Sequence, residues 1–291
     1  MQRTDIEWVV NPDGSPGYTC NPVKGFCPVA CPYCYARRMY LRFKWDKTIR
    51  FHASEIEEIS TLKKSSTIFM GSTIELFGEW VNFRWLGIIF QWVRLYPQHT
   101  FIFLSKCYQN LVKYRAFPKN CYIGLTATDA ISFRAAINCL NHINAKVKFL
   151  SIEPFIEPFP ILPSDIENVN WLIIGGMTIP KAEIANDYMC HLIEKNELLT
   201  FPYRSSLWRV LPTADMIRSV ISIADGMNVP VFIKDNILDG NPLDLRLAEM
   251  RQELPGGVQL KRKEEEVARK KRSHSKRRKP KTKRTSNRRQ T

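Results

Sequence analysis

Three cysteines fall within eight residues of the segment GFCPVACPYCYARRM (25–39): Cys27, Cys31 and Cys34, spaced C-x3-C-x2-C ahead of a basic, helix-like stretch. Thiols this close together have four chemical uses: a disulfide framework, a zinc site, a redox dithiol, or the legs of an iron–sulfur cluster. The first fails on numbers. Eight cysteines in 291 residues are far from a disulfide-rich scaffold, and the other five, at 20, 107, 121, 139 and 190, are scattered singly. Such usage suits a reducing compartment, where thiols stay free or bind metal. Cys31-Pro32-Tyr33-Cys34 reads as a C-P-Y-C redox pair of the glutaredoxin kind, which leaves Cys27 without a role. Structural zinc takes four ligands, usually as two knuckles. Cys20 is available as a fourth, but no second C-x2-C or Cys/His pair follows. Three buried, chemically idle cysteines fit poorly in a loop full of prolines and aromatics. A [4Fe–4S] cluster on three thiolates uses all three and leaves one iron open to a substrate or cofactor.

The elements that must hold this loop are legible as short apolar runs: STIFMGS (66–72), HTFIFLS (99–105), CYIGLTA (121–127), KVKFLSI (146–152), WLIIGG (171–176) and PVFIKD (230–235). Runs apolar on both faces predict strands of a buried parallel sheet. Helical patterns lie between several of them. In 82–96, Trp85, Ile88, Ile89, Trp92, Val93 and Tyr96 share a face behind an Asn82 cap. Ser132 caps Phe133, Ala136, Ile137, Leu140 and Ile143. Thr213 precedes Met216, Ile217, Val220, Ile221 and Ala224, with Gly226 at the end. Strand–helix alternation over some 200 residues means a wound α/β fold, open or closed into a barrel. Each run turns polar at its carboxyl end: Ser72, Thr73 and Glu75; Ser105 and Lys106; Thr126, Thr128 and Asp129; Ser151 and Glu153; Gly175 and Gly176; Lys234, Asp235 and Asn236. That is the edge where active sites form in such folds, so the set predicts a shared polar mouth. Residues 181–212 break the alternation and predict an inserted helix and loop over that mouth.

With the aromatic Tyr33 before its last cysteine, the motif resembles the radical S-adenosylmethionine superfamily. More narrowly, TDIEW (4–8) and NPVKGFCPVACPYCYARRM (21–39) resemble the phage Gp37/Gp68-type family, DUF5131. The blocks IFMGSTIELFGEWV, QHTFIFLSK, IGLTATD, FLSIEPFIEP, WLIIGG and VPVFIKD follow in that family's order. The resemblance spans about residues 4–236, apart from 181–212 and the basic tail. It implies a domain over 1–260 built as a partial (β/α) TIM-like barrel. It implies that Cys27, Cys31 and Cys34 hold the [4Fe–4S] cluster and that S-adenosylmethionine chelates the fourth iron. Tyr33 would lie by the adenine. Gly71-Ser72-Thr73 and Glu75 stand where the superfamily often has a Gly-Gly-Glu-type turn for the amino group. Ser151, Glu153, Gly175 and Gly176 are candidates for ribose or carboxylate contacts, with Lys106, Lys234 and Asp235 chemically suited to the same rim. The chemistry implied is reductive cleavage of S-adenosylmethionine and hydrogen abstraction, with an electron donor such as a flavodoxin or ferredoxin as partner.

The net charge of +15 belongs to an appendage. Residues 261–291 hold 16 of the 43 Lys/Arg and three of the 28 Asp/Glu, so the tail carries +13 and the other 260 residues only +2. Such a low-complexity tail is expected to stay disordered and to bind phosphate backbones by counterion release. A nucleic-acid substrate is therefore one expectation, and a nucleic-acid-binding protein with a structural metal is the alternative. The start MQRTDIEWVVNPDG has no apolar signal core and no run approaches a membrane span, which predicts a cytoplasmic location with no membrane partner.

Overall fold

The apolar runs become strands of one sheet in the computed structural model, which describes residues 1–204, 206–256 and 258–259. The principal strands are β1 (Gln2–Arg3), β2 (Tyr18–Cys20), β3 (Thr67–Met70), β4 (Thr100–Ser105), β5 (Cys121–Ala127), β6 (Val147–Ile152), β7 (Trp171–Ile174), β8 (Met177–Pro180), β9 (Leu199–Arg204), β10 (Leu207–Leu211) and β11 (Val231–Ile233). The principal helices are α1 (Tyr35–Arg42), α2 (Phe83–Leu95), α3 (Ala130–His142), α4 (Asp187–Lys195) and α5 (Ala214–Gly226). The main sheet has the order β1-β2-β3-β4-β5-β6-β7-β11. From β2 onward the pairings are parallel, and β1 is antiparallel to β2. Spatial order follows chain order without reversal, so the sheet winds as a barrel does and a doubly wound sheet does not. β1 and β11 are its two edges, which makes the barrel partial.

Side-chain alternation separates two cores. Ile68, Met70, Phe101, Phe103, Ile123, Leu125, Leu150, Ile152, Leu172 and Ile174 pack outward in one large cluster with the helices. Phe69, Ile102, Phe149, Trp171, Ile173 and Phe232 face inward, where Trp8 and Val9 join them. Trp8 stands edge-on to Phe69 and Trp171, with ring centroids at 5.0 and 6.0 Å. Burying an indole removes on the order of 200 Å² from water, worth at most about 5 kcal/mol. Gly124 makes room for this plug, since a Cβ there would lie 2.1 Å from the Phe149 ring.

Two helix details differ from the sequence expectation. α2 buries Leu86, Ile89, Phe90 and Val93 and leaves Ile88 exposed. Trp85 and Trp92 flank this stripe, stacked on Phe51 and Tyr96 at 6.0 and 5.6 Å, because large rings cover more surface at the margin of a narrow seam. The cap of α3 is Asp129, three residues before Ser132, and Ser132 returns the bond as the other half of a capping box. Asn82 and Thr213 cap α2 and α5 as expected.

Residues 181–212 are not a helix and loop alone. With β8 they form a second, three-stranded antiparallel sheet in the order β8-β10-β9, carrying α4 between β8 and β9. The run LTFPYRSSLWRVLP alternates well enough to pair, and Pro202, which cannot donate to a ladder, sits on edge strand β9 where the register slips. The basic tail lies outside the described residues. Among those described, no helix is long and apolar enough to cross a membrane.

One buried histidine predicts a pH dependence. His99 is buried, its Nδ1 accepts from the Ser66 N–H at 3.1 Å, and its Nε2 has no partner. Burial holds its pKa below the usual 6.5. The unfolded chain therefore binds the proton first, so stability is full above about pH 6.5 and falls as pH drops toward the lowered folded value. The melting temperature is expected to decline between about pH 7 and 5, and His99→Gln to flatten that decline. An unchanged slope in the variant would rule the histidine out.

Candidate cofactor site

The cysteine loop is built on the start of α1. Cys34 is the cap: its Sγ accepts from the Arg37 N–H at 3.4 Å, and its own N–H donates to Cys31 O at 3.1 Å. The chain reverses between the first two cysteines at Ala30, with φ of 53°. The Arg37 guanidinium donates to Cys27 O at 3.4 Å and lies 4.0 Å from the Phe26 ring. α1 is tied to strands on both sides of the mouth. The Tyr35 hydroxyl donates to Ser72 O at 3.0 Å, and Arg38 donates to Thr178 O, on β8, at 3.3 Å.

All three thiols are free and partly exposed. Burial raises the Cys27 thiol. It also pushes the scattered Cys20, Cys107 and Cys121 up to about 12 and Cys139 to about 11, while Cys190 is exposed. Cys20 packs in the outer core and donates to Glu55 O at 3.3 Å, so it is turned away from service as a fourth ligand. Among the described residues no three His, Cys, Asp or Glu side chains converge on a single-ion point. Three free thiols on one loop are the donor chemistry of a cluster that keeps one iron open. The C-P-Y-C reading also weakens, because α1 begins after Cys34 and its N-terminal field acts there and not on Cys31.

Above the aromatic plug, the inward positions of successive strands turn polar. Lys234, following β11, forms an ion pair with Glu153, following β6. Gly175, following β7, leaves room for it: a Cβ there would stand 2.9 Å from the Glu153 carboxyl and 3.0 Å from the Lys234 chain. Burial works against the Lys234 ammonium, but Glu153 and then Glu7 outweigh it and hold its pKa above the ordinary value. Burial raises Glu7, and Lys234 eases it. One pleat below Glu153, the Ser151 Oγ is buried with no hydrogen-bond partner among the described residues, a donor and acceptor left for a ligand. Gly176 is held through its backbone by Asn236, which accepts its N–H at 3.2 Å and donates to its carbonyl at 2.7 Å.

Glu75 and Ser72 are placed differently. The Glu75 carboxylate is buried and accepts from Phe77 N at 2.9 Å, Ser105 Oγ at 2.8 Å and Lys106 N at 2.7 Å, so it braces the turn after β3 against the end of β4. Ser72 donates to Asn21 at 3.2 Å. Tyr33 is half-buried; burial and then the neighbouring Cys31 keep its phenol protonated far above the usual range. With Cys31, Lys106, Thr126, Thr128 and Asp129 it lines a cavity of about 310 Å³, roofed by Tyr188, Met189 and Leu192 from α4. Lys106 donates to Thr126 Oγ1 at 3.1 Å. Asp235, on the same rim, accepts from Gln252 at 2.7 Å. Glu7 was not singled out as a site residue. Its signal was its place in the TDIEW block, next to the Trp8 that plugs the barrel.

The sequence pattern described as "Protein of unknown function (DUF5131)" matches residues 3–208. The chain belongs to this family. The DUF5131 match runs through residue 208, so of the second sheet it takes in β8, β9 and the first two residues of β10. It ends before β11, which leaves VPVFIKD and the Lys234 ammonium outside. No curated protein matches. Similar solved structures include a spore photoproduct lyase variant with bound AdoMet and dinucleoside spore photoproduct, at 8% identity over 80% of this chain and 78% of that one, with a TM-score of 0.47. A second variant of that lyase scores 0.49 over the same shares at 8% identity. The Bacillus cereus spore cortex-lytic enzyme SleL, at 9% identity over 80% and 72%, scores 0.29. These are distant likenesses and bear on no residue of the DUF5131 chain.

Proposed function

We propose that this protein is a radical S-adenosylmethionine enzyme. The observation that carries the reading is the placement of three free thiols on one loop over the carboxyl end of a one-way parallel barrel. Cys27, Cys31 and Cys34 would hold a [4Fe–4S] cluster, which when reduced supplies the electron that splits S-adenosylmethionine into methionine and a 5′-deoxyadenosyl radical. The protein's own residues supply binding and enclosure. Lys234 offers a cation for a carboxylate, Ser151 an unfilled hydroxyl, and Gly175 the room in which the Lys234–Glu153 pair sits. Tyr33 and α4 wall the polar floor of the smaller cavity. The radical would abstract hydrogen from a substrate that the lumen admits, with a flavodoxin- or ferredoxin-type donor providing the electron.

The deciding experiment is anaerobic reconstitution followed by dithionite and S-adenosylmethionine. About four irons per chain and 5′-deoxyadenosine are expected. Zinc in place of iron, or a cluster that never cleaves S-adenosylmethionine, would leave the alternative of a structural metal in a binding protein. The Lys/Arg-rich residues 261–291 fit a polynucleotide partner, since each phosphate contact releases counterions. Their deletion should weaken polynucleotide binding and flatten its salt dependence; undiminished binding would end that reading.

A further inference from the structure

A groove of about 970 Å³ lies between α1 and the β1–β2 edge, apart from the α4-roofed cavity, and is lined among others by Tyr35, Met39, Trp45, Arg50, Glu7 and Ser72. Arg42, Phe43, Lys44 and Lys47 lie outside its lining, on the surface that meets it at Trp45. Residues 35–50, YARRMYLRFKWDKTIR, carry six Lys/Arg against one acid, Asp46. That acid is paired with Arg50. Phe43 and Trp45 are stacked on each other at 5.5 Å with 22° between planes, yet remain 52% and 44% exposed. The Arg42 guanidinium lies 5.3 Å from the Phe43 ring. Exposed stacked rings among cations are poor surface for a soluble chain and good surface for bases on a phosphate backbone. Four acids line the groove, Asp5, Glu7, Asp46 and Glu55, and of these Glu55 is held by Lys24 and the Met1 amino group. The groove also leads to the site: Tyr35 follows Cys34 directly, and Glu7 feels Lys234 in the lumen.

We propose that the surface at the end of α1, which meets this groove at Trp45, is a platform for single-stranded polynucleotide, with bases stacking on Phe43 and Trp45 and phosphates facing Arg42, Lys44 and Lys47. This deepens the polynucleotide reading of the tail and rests on it. The tail has no aromatic residue and holds phosphates only, whereas the platform reads the presence of bases. The test uses the full-length chain without reductant or S-adenosylmethionine, so its outcome is separate from that of the radical chemistry. Fluorescence anisotropy would compare an oligothymidylate of about 12 nucleotides, within the usual strand-site range, with an abasic strand of equal phosphate count. The wild type is expected to prefer the base-bearing strand about ten-fold or more. F43A/W45A should lose that preference while holding the abasic strand within about two-fold, and F43Y/W45F, which keeps the rings, should retain it. Equal affinity for both strands in the wild type would overturn the platform and leave the tail as a charge arm. A preference that survives F43A/W45A would also overturn it. So would an acidic flavodoxin whose binding, unlike that of the strand, depends on the two rings.

Discussion

Cys31→Ala is expected to reduce 5′-deoxyadenosine formation by about three orders of magnitude or more, to the level without enzyme, and to bring iron well below four per chain. The reasoning is stoichiometric. Three thiolates leave one open iron for S-adenosylmethionine; with two, a second corner is open and only two protein bonds hold the cube. The loop offers no substitute. Cys20 is buried in the outer core with its thiol on Glu55 O, and Cys107 is held protonated at about 12 by burial. Cys20→Ala and Cys190→Ser are the matched controls. The first removes a buried sulfur and should lower stability by about 1 kcal/mol while leaving iron and turnover intact; the second changes an exposed thiol and should alter neither. Iron by colorimetry, cluster absorbance and product by chromatography read all three variants. Full iron in Cys31→Ala, or lost iron in Cys20→Ala, would mean that the cysteine assignment is wrong.

What the sequence made legible is uneven, and the reasons are physical. The strands showed because a run buried on both faces must be apolar throughout: CYIGLTA became β5 residue for residue. Their polar ends showed because an edge that lines a mouth cannot stay apolar. The partner of each polar residue did not show. Lys234 and Glu153 are 81 positions apart, and only the winding of the chain from β7 to β11 brings them together. Glu75 looked like a ligand for a cofactor, and its three hydrogen bonds to the turn and to β4 exist only once the sheet is formed. The Trp8 plug was also hidden, since one tryptophan in a short acidic segment has no periodicity. The second sheet was masked by Pro202, a residue that argues against a strand unless the strand is at an edge.

The pairing of Lys234 supplies the second large effect. Lys234→Met is expected to lower stability by about 3 kcal/mol at neutral pH, the lower part of the range for breaking a buried ion pair, because the side chain retains 17% exposure and Glu153 25%. The loss comes from leaving Glu153 and Glu7 without the cation between them. That argument fixes the pH dependence. Glu7 already sits above its ordinary range through burial, and without Lys234 it rises further. A carboxyl raised in the folded state favours folding when protonated and penalises it when charged, so the deficit is full above the folded value and shrinks as pH falls through it toward about 4.5. Urea titrations of wild type and variant at pH 7 and pH 4.5 should therefore converge at the lower pH. Parallel curves would assign the loss to packing of the lysine stem. The double variant K234M/E153Q separates structure from function, since a neutral pair should recover most of the stability. If S-adenosylmethionine cleavage stays lost after stability returns, the ammonium is needed for binding a carboxylate. If both return, Lys234 serves only to balance the charges that line the lumen.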